Sequence, residues 1–98
     1  MIHSLANKMA RDIWETDFSK KLPTELHIRS KALLTIIHNT SVLEDLKIKG
    51  QTPNIRLHKL KGDRNKEWSV TIVLPWCIPF EYRGDGFYNE KIETYHKG

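Results

Sequence analysis

Residues 56–64 read RLHKLKGDR and combine four cationic side chains with one histidine. They lie between a turn-like segment, GQTPN, and a strand-like segment, EWSVTIV. Lysine and arginine on a strand and the turn after it can hold an RNA backbone, because every nucleotide carries a phosphate charge. The same charges also suit a solvated loop, so this segment alone leaves both interpretations open. The candidate RNA-binding residues are Arg56, Lys59 and Arg64.

A second group of reactive side chains closes the chain, where Tyr95 and His96 lie in the sequence TYHKG. One imidazole can accept the proton of a ribose 2′-hydroxyl while another group protonates the leaving oxygen, because imidazole titrates near neutral pH. Lysine and arginine would stabilise the charge that develops on phosphorus. Two histidines and a tyrosine beside several cations therefore suffice for RNA cleavage without a metal ion. The spacing does not by itself bring His58 close to His96, and single histidines are often ordinary surface residues.

Two helices are predicted in the first half of the chain. Apolar residues recur at helical spacing from about residue 7 to residue 19, at Met9, Ile13, Trp14 and Phe18. The second helix has Pro23 in its first turn, and its solvated side carries Arg29 and Lys31. Its apolar face comprises Leu26, Leu33, Ile36 and Ile37. Both helices should pack one face against a core.

The second half of the chain changes to a period of two, which is typical of strands. A capping box of Ser41 and Glu44 first predicts a further helical turn that ends before Gly50, and the opening MIHSL suits a short first strand. Strands follow around His58, in EWSVTIV, in WCIPFEY and in FYNEKIETYH. In EWSVTIV, Ser69 and Thr71 should occupy the open face. The sequence predicts one α+β domain over residues 1–98, with two N-terminal helices on a mainly antiparallel sheet of four to five strands.

Composition narrows the possible partners. The 98 residues carry 16 Lys and Arg against 12 Asp and Glu, for a net charge of +4 that favours anionic partners. A single cysteine makes no intrachain disulfide, and no segment resembles a signal peptide or a membrane span, so we expect a cytoplasmic protein without membrane contact. We find no helix-turn-helix signature, hence we expect no direct DNA binding. His3, His27 and His38 lack metal-ligand spacing, so a metal enzyme is disfavoured and no cofactor is expected.

The segments LHKLKGDRNKEWSVTI and PWCIPFEYRGDGFYNEKIETYH resemble the HigB-type toxins of the RelE superfamily. The signature of those toxins runs approximately L-x-x-L-K-G-D-R-x-x-x-W-S-I-x-I, then W-R-I-x-F, then V-E-I-x-D-Y-H. The resemblance implies a RelE-like fold and a ribosome-dependent endoribonuclease that cuts mRNA during translation without a metal. It also implies a HigA-type helix-turn-helix antitoxin as partner, besides the ribosome and mRNA. An exposed basic face would suit an acidic partner segment.

The resemblance also implies roles for individual residues. His58 and His96 would share the acid-base work, Lys61 would hold the scissile phosphate, and Tyr95 would stack on or orient the nucleotide. Arg64 would be structural or contact rRNA. Trp14 and Phe18 are candidates for the antitoxin interface, although we expect core packing for both side chains.

The sequence departs from the family signature at several positions. Cys77 replaces an arginine and Thr94 replaces an aspartate, and Glu90 and Glu93 lie near positions that the family fills with apolar residues. A thiol does not bind an anion as a guanidinium does, and losing one charged stabiliser costs about two or three powers of ten in rate. Pro79 interrupts a predicted strand, which favours an edge strand or a bulge. Two hypotheses stay open: an mRNA-cleaving toxin, active or weakened, and a non-catalytic relative that binds antitoxin or RNA.

Overall fold

The computed structural model describes residues 1–50 and 56–94, and of residues 47–50 it describes the backbone only. The predicted GQTPN loop, apart from Gly50, and the catalytic candidates Tyr95 and His96 lie outside the described residues. The helical elements are α1 (Lys8–Thr16), a 3-10 turn (Thr24–Leu26), α2 (His27–His38), α3 (Leu43–Gly50) and a second 3-10 turn (Gly62–Arg64). The strands are β1 (His58–Lys59), β2 (Glu67–Val73), β3 (Trp76–Tyr82), β4 (Phe87–Tyr88) and β5 (Glu93–Thr94). None of the described helices is long and apolar enough to cross a membrane.

The strands form one antiparallel sheet in the order β1-β2-β3-β4, and β5 also pairs with β3. This order confirms the predicted α+β fold of helices and a mainly antiparallel sheet. The prediction of one continuous last strand is wrong, because residues 87–94 form β4 and β5 with a break between them. Asn89 has a left-handed backbone with φ of 57°, which interrupts the strand. Glu90 then bonds to the N-terminal segment instead of β3.

The core lies between the helices and one face of the sheet. Ile13 of α1 and Leu34 and Ile37 of α2 are fully or almost fully buried within the same cluster as the strand residues. The strand residues of that cluster include Val70, Ile72, Ile78, Phe80 and Phe87. Burying each large apolar side chain stabilises the fold by about 1.5–3 kcal/mol. The core therefore fixes the sheet on which the cationic segment lies.

Helix α1 is shorter than the sequence predicts. The Asn7 side chain accepts a hydrogen bond from the Ala10 N–H at its start, and Asp17 ends it in a left-handed conformation with its N–H donated to the Ile13 carbonyl. Phe18 therefore lies beyond the helix and is 57% exposed. It contacts only the edge of the His27 ring among the aromatic neighbours described. The prediction that Phe18 extends the apolar stripe into the core is wrong, whereas Trp14 is half-buried.

The outer side of α2 is less solvated than predicted. The Arg29 Nε donates to the Ile72 carbonyl at 2.6 Å, so this arginine joins α2 to β2. The Lys31 ammonium donates to the Trp14 carbonyl at 2.8 Å and lies 5.0 Å from the centre of the Trp14 ring. Charged side chains of this length bury their aliphatic stems and bond with their ends, which explains the difference. Ile28 is instead the exposed large apolar residue of this helix, at 86%.

Pro79 lies inside the sheet, in the central strand β3, so the prediction of an edge or bulge is wrong. On the side of β3 away from β2, β4 pairs with residues 81–82 and β5 with residues 76–77, which leaves Pro79 between them. Its carbonyl accepts the Lys91 N–H at 3.2 Å on that side. In an antiparallel strand, the backbone nitrogen and carbonyl of one residue point to the same side, so the Pro79 nitrogen also points into this gap. No hydrogen bond to β2 is lost there, and the pairing with β2 continues past Pro79.

Candidate active site

The cationic segment borders a cleft of about 690 Å³ on the side of the sheet away from the core. Residues 58–64 line it together with Cys77 and Pro79 of β3 and Glu93 of β5. The register of the sheet explains this set, since His58 pairs with Ser69 and Ser69 pairs with Pro79, which places their side chains on one face. The structure thus brings together His58, Lys61 and Arg64 from the sequence prediction.

The turn that follows β1 fixes the position of Lys61. The Leu60 N–H donates to the Glu67 carbonyl at 2.9 Å, which holds the segment against β2. Gly62 then adopts a φ of 71°, a left-handed conformation that a glycine accepts without strain. The Asn65 N–H closes the 3-10 turn on the Gly62 carbonyl. Lys61 is exposed at the start of this turn, and no carboxylate within the described part of the chain pairs with it.

His58 has a defined orientation. Its Nδ1 lies 3.1 Å from the Arg56 carbonyl oxygen, and His58 is exposed to solvent. A carbonyl oxygen only accepts, so Nδ1 carries the hydrogen in this bond. In the neutral ring, Nε2 is then the acceptor, which is the atom that a general base needs.

The flanking cations occupy different positions. Arg56 is exposed and has a left-handed φ of 50°. Lys59 pairs in register with Trp68, on the face opposite His58, and its ammonium lies 5.8 Å from the centre of the Trp68 ring. This distance is typical of a cation–π contact. The RNA-binding roles of Arg56 and Lys59 stay predictions.

Arg64 is held by two carboxylates. Its Nε and Nη2 donate to the two oxygens of Glu67 at 2.7 and 2.9 Å, and its Nη1 and Nη2 donate to the two oxygens of Glu93 at 3.0 and 3.1 Å. The Lys91 ammonium lies 3.8 Å from Glu67. Hydrogen bonds to Glu67 and then Glu93 raise the pKa of Arg64, and Arg64 in turn holds the pKa of Glu67 below its usual range. We call Arg64, Glu67 and Glu93 the arginine fork.

Cys77 occupies the base of the cleft where the resemblance predicts an arginine. It is 5% exposed and pairs in register with Thr71 on one side and Glu93 on the other. Burial raises the pKa of its thiol, against a smaller opposing effect of the Ser69 hydroxyl. Ser69 and Thr71 are also buried, so the prediction of an open face along β2 is wrong at the centre of the strand. The cleft therefore has an uncharged base between the cations of the turn and Glu93.

Strand β5 approaches the cleft immediately before the last two catalytic candidates. Glu93 and Thr94 pair with Cys77 and Trp76, and Tyr95 and His96 follow directly in sequence. Sequence reasoning missed Glu67 and Glu93 as partners of Arg64. The spacing of three residues between Arg64 and Glu67 was a usable signal, whereas nothing in the sequence connects Arg64 with Glu93. Among residues 1–50 and 56–94, no group of three or more His, Cys, Asp and Glu side chains could hold a metal ion.

Comparisons with known proteins agree with this architecture. A family model described as RelE-like toxin of type II toxin-antitoxin system HigB matches residues 3–96. The chain belongs to this HigB-like toxin family, which confirms the resemblance seen in the sequence. It is also 28% identical over 96 residues to the endoribonuclease HigB of Proteus vulgaris, an alignment that covers 98% of this chain and all of that protein. A toxin of a type II system implies an antitoxin partner.

Proposed function

We propose that this chain, acting as one domain, inhibits translation by cutting mRNA on the ribosome. The observation that carries the proposal is the cleft, in which the His58 and Lys61 segment lies opposite the strand that leads to Tyr95 and His96. Similarity to an endoribonuclease over nearly the whole chain favours a catalytic function over a binding function alone.

The proposed reaction uses His58 as base and His96 as acid. The Nε2 of His58 takes the proton of a ribose 2′-hydroxyl, the 2′-oxygen attacks phosphorus, and the bond from phosphorus to the 5′-oxygen breaks. His96 protonates the departing 5′-oxygen, and Tyr95 orients the nucleotide. Lys61 stabilises the extra negative charge on the phosphorane. The products are a 2′,3′-cyclic phosphate and a 5′-hydroxyl.

The partners follow from the charge of this surface. Arg56 and Lys59 would contact the phosphate backbone of mRNA or rRNA, because neutralising phosphates releases counterions and strengthens binding. The antitoxin would be a helix-turn-helix protein of the HigA type that supplies an acidic segment. Action on ribosomes would make the protein cytoplasmic. We propose no direct contact between this chain and DNA.

The uncharged Cys77 sets the expected strength of the activity. A guanidinium that stabilises a transition state contributes about two to three powers of ten in rate, and this cleft lacks one at that position. We therefore propose a toxin with weaker cleavage than a relative that carries arginine there. Adding the charge back as Cys77→Arg should strengthen cleavage, provided that the buried position accommodates the longer side chain.

Inducible expression in a bacterial host tests the proposal. Growth and new mRNA 5′ ends are followed for the unmodified chain, His58→Ala and Lys61→Ala, with Lys8→Ala as a control that removes an exposed lysine from α1. The proposal predicts growth arrest and 5′ ends within translated codons for the unmodified chain and Lys8→Ala, and loss of both effects for the other two variants. Growth inhibition that persists in His58→Ala would refute the catalytic assignment.

A further inference from the structure

The arginine fork joins three parts of the candidate active site. Arg64 lies in the turn that follows Lys61, Glu67 begins β2, and Glu93 lies in β5, two residues before Tyr95. Arginine has five N–H donors, and the two carboxylates accept four hydrogen bonds from them. Such paired arginine–carboxylate contacts fix orientation as well as distance.

We propose that Arg64 is a positioning residue, which holds β5 against the turn that carries Lys61. It would thereby fix the start of the segment that leads to Tyr95 and His96 relative to His58 and Lys61. This inference depends on the proposed function, since it assigns a role within the same reaction. The resemblance leaves Arg64 either structural or in contact with rRNA, and this inference favours the structural role.

The donor count argues against a phosphate contact by Arg64. With four hydrogen bonds made, one N–H remains, so a bidentate grip on a phosphate would require breaking bonds to Glu67 or Glu93. The two carboxylates also repel an approaching phosphate. Arg64 and its partners therefore form a closed ionic group at the border of the cleft, and His58 and Lys61 are the exposed residues of the cleft proposed to act on the substrate.

The arginine fork supplements the pairing of β5. Within the described residues, which end at Thr94, β5 comprises Glu93 and Thr94, and both pair with β3. Two of the four hydrogen bonds from Arg64 reach Glu93, so they add a bidentate side-chain contact with the Lys61 turn to the pairing of β5 with β3. A displacement of about 1 Å in a catalytic group can reduce a rate about a hundredfold. Breaking the fork should thus act on the chemical step rather than on RNA binding.

The test compares Arg64→Gln, Glu93→Ala and the double variant in cleavage of ribosome-bound mRNA. Arg83→Gln is the matched control, because Arg83 loses the same charge from an exposed ion pair with Glu81 at the other end of β3. We expect each single variant to lower kcat about 10- to 100-fold with little change in half-saturating ribosome concentration. The double variant should be no worse than the worse single variant, because both remove the same contact.

Salt dependence separates positioning from phosphate binding. Losing one phosphate contact lowers the slope of log binding against log salt by about one. We expect Arg64→Gln to leave this slope unchanged. A lowered slope in Arg64→Gln, together with unchanged kcat in Glu93→Ala, would overturn the proposal and assign Arg64 to RNA.

Amide hydrogen exchange tests the fork without any activity. Arg64→Gln and Arg64→Lys should speed exchange in residues 92–94, since lysine cannot form the bidentate fork, while the centre of β2 stays protected. Unchanged exchange in residues 92–94 would overturn the proposal. If the unmodified chain cleaves no mRNA, the proposed function fails, and faster exchange would still establish the fork as the anchor of β5.

Discussion

The buried carboxyl of Glu90 should make the stability of the protein depend on pH. Glu90 is fully buried, and neither carboxyl oxygen has a hydrogen-bond partner among the residues described. Loss of hydration on burial raises its pKa well above the ordinary value of 4.5, with only a smaller opposing effect from the Met1 amino group. Its backbone stays bonded, since its N–H donates to the Ser4 carbonyl and its carbonyl accepts the Ala6 N–H.

The direction of the pH dependence of stability follows from the proton that Glu90 keeps in the folded state. Above about pH 4.5 the unfolded chain loses the Glu90 proton while the folded chain keeps it, so the free energy of unfolding falls as pH rises. The loss is about 1.4 kcal/mol per pH unit and stops at the folded-state pKa. The loss over one pH unit corresponds to about 6–11 °C in Tm for a chain of this size. The contribution of Glu90 to stability is fully present below about pH 4.5.

Glu90→Gln tests this reasoning, because the amide has nearly the same shape and stays neutral at every pH. Urea unfolding should give similar stabilities for both proteins near pH 4.5 and a growing advantage for the variant towards neutral pH. Glu15→Gln, which removes a carboxyl from the exposed side of α1, should follow the unmodified chain. Parallel stability curves for Glu90→Gln and the unmodified chain would show that Glu90 does not ionise with the cost described here.

Three further changes test the core, the N-terminal contact and the cleft. Phe80→Ala should lower the free energy of unfolding by about 3–5 kcal/mol, because Phe80 is fully buried and its ring centre lies 5.4 Å from that of Phe87, edge to face. Urea unfolding measures this loss, and a loss below about 1 kcal/mol would refute the packing. Gly86→Ala should destabilise by about 1–3 kcal/mol, since an added methyl would collide with the His3 ring and with the Met1 carbonyl oxygen. His3→Ala in the same chain should restore part of this loss in a thermal melt, and no rescue would show that the His3 ring is not the cause of the loss. Cys77 should react with a thiol reagent at about pH 8 far more slowly in the folded chain than in the unfolded chain. Burial shields the thiol and also raises its pKa, and equal reaction rates would contradict the buried placement.

The sequence predicts the parts of the fold that depend on strong local patterns. Alternation in EWSVTIV and WCIPFEY identifies β2 and β3, and helical spacing identifies α1 and α2. The end of α1 is misplaced because Asp17 takes a left-handed conformation that no local pattern demands. The last strand is misjudged for a similar reason, since Asn89 and the N-terminal segment interrupt it through contacts between distant parts of the chain.

The candidate site likewise has parts that the sequence predicts and parts that it does not. The cationic turn is evident from KGDR, and its placement beside β2 follows from strand pairing that the alternating pattern supports. The fork of Arg64 with Glu93 was not predictable, because the two residues are 29 positions apart and meet only through the arrangement of the sheet. The sequence therefore left Arg64 either structural or in contact with rRNA, and it did not show that the Arg64 guanidinium pairs with two carboxylates. Charge in a sequence shows how many cations exist, whereas the structure shows which of them are left for a ligand.

Cleavage of a defined mRNA on purified ribosomes tests the central claim most directly. The purified chain is added to ribosomes that carry an mRNA with a known codon in the decoding site, and the 5′ ends and terminal groups of the products are mapped. The account predicts cleavage within that codon that leaves a 2′,3′-cyclic phosphate, requires the ribosome, and is lost in both His58→Ala and His96→Ala. Undiminished cleavage in either histidine variant, or no cleavage by the unmodified chain, would contradict it.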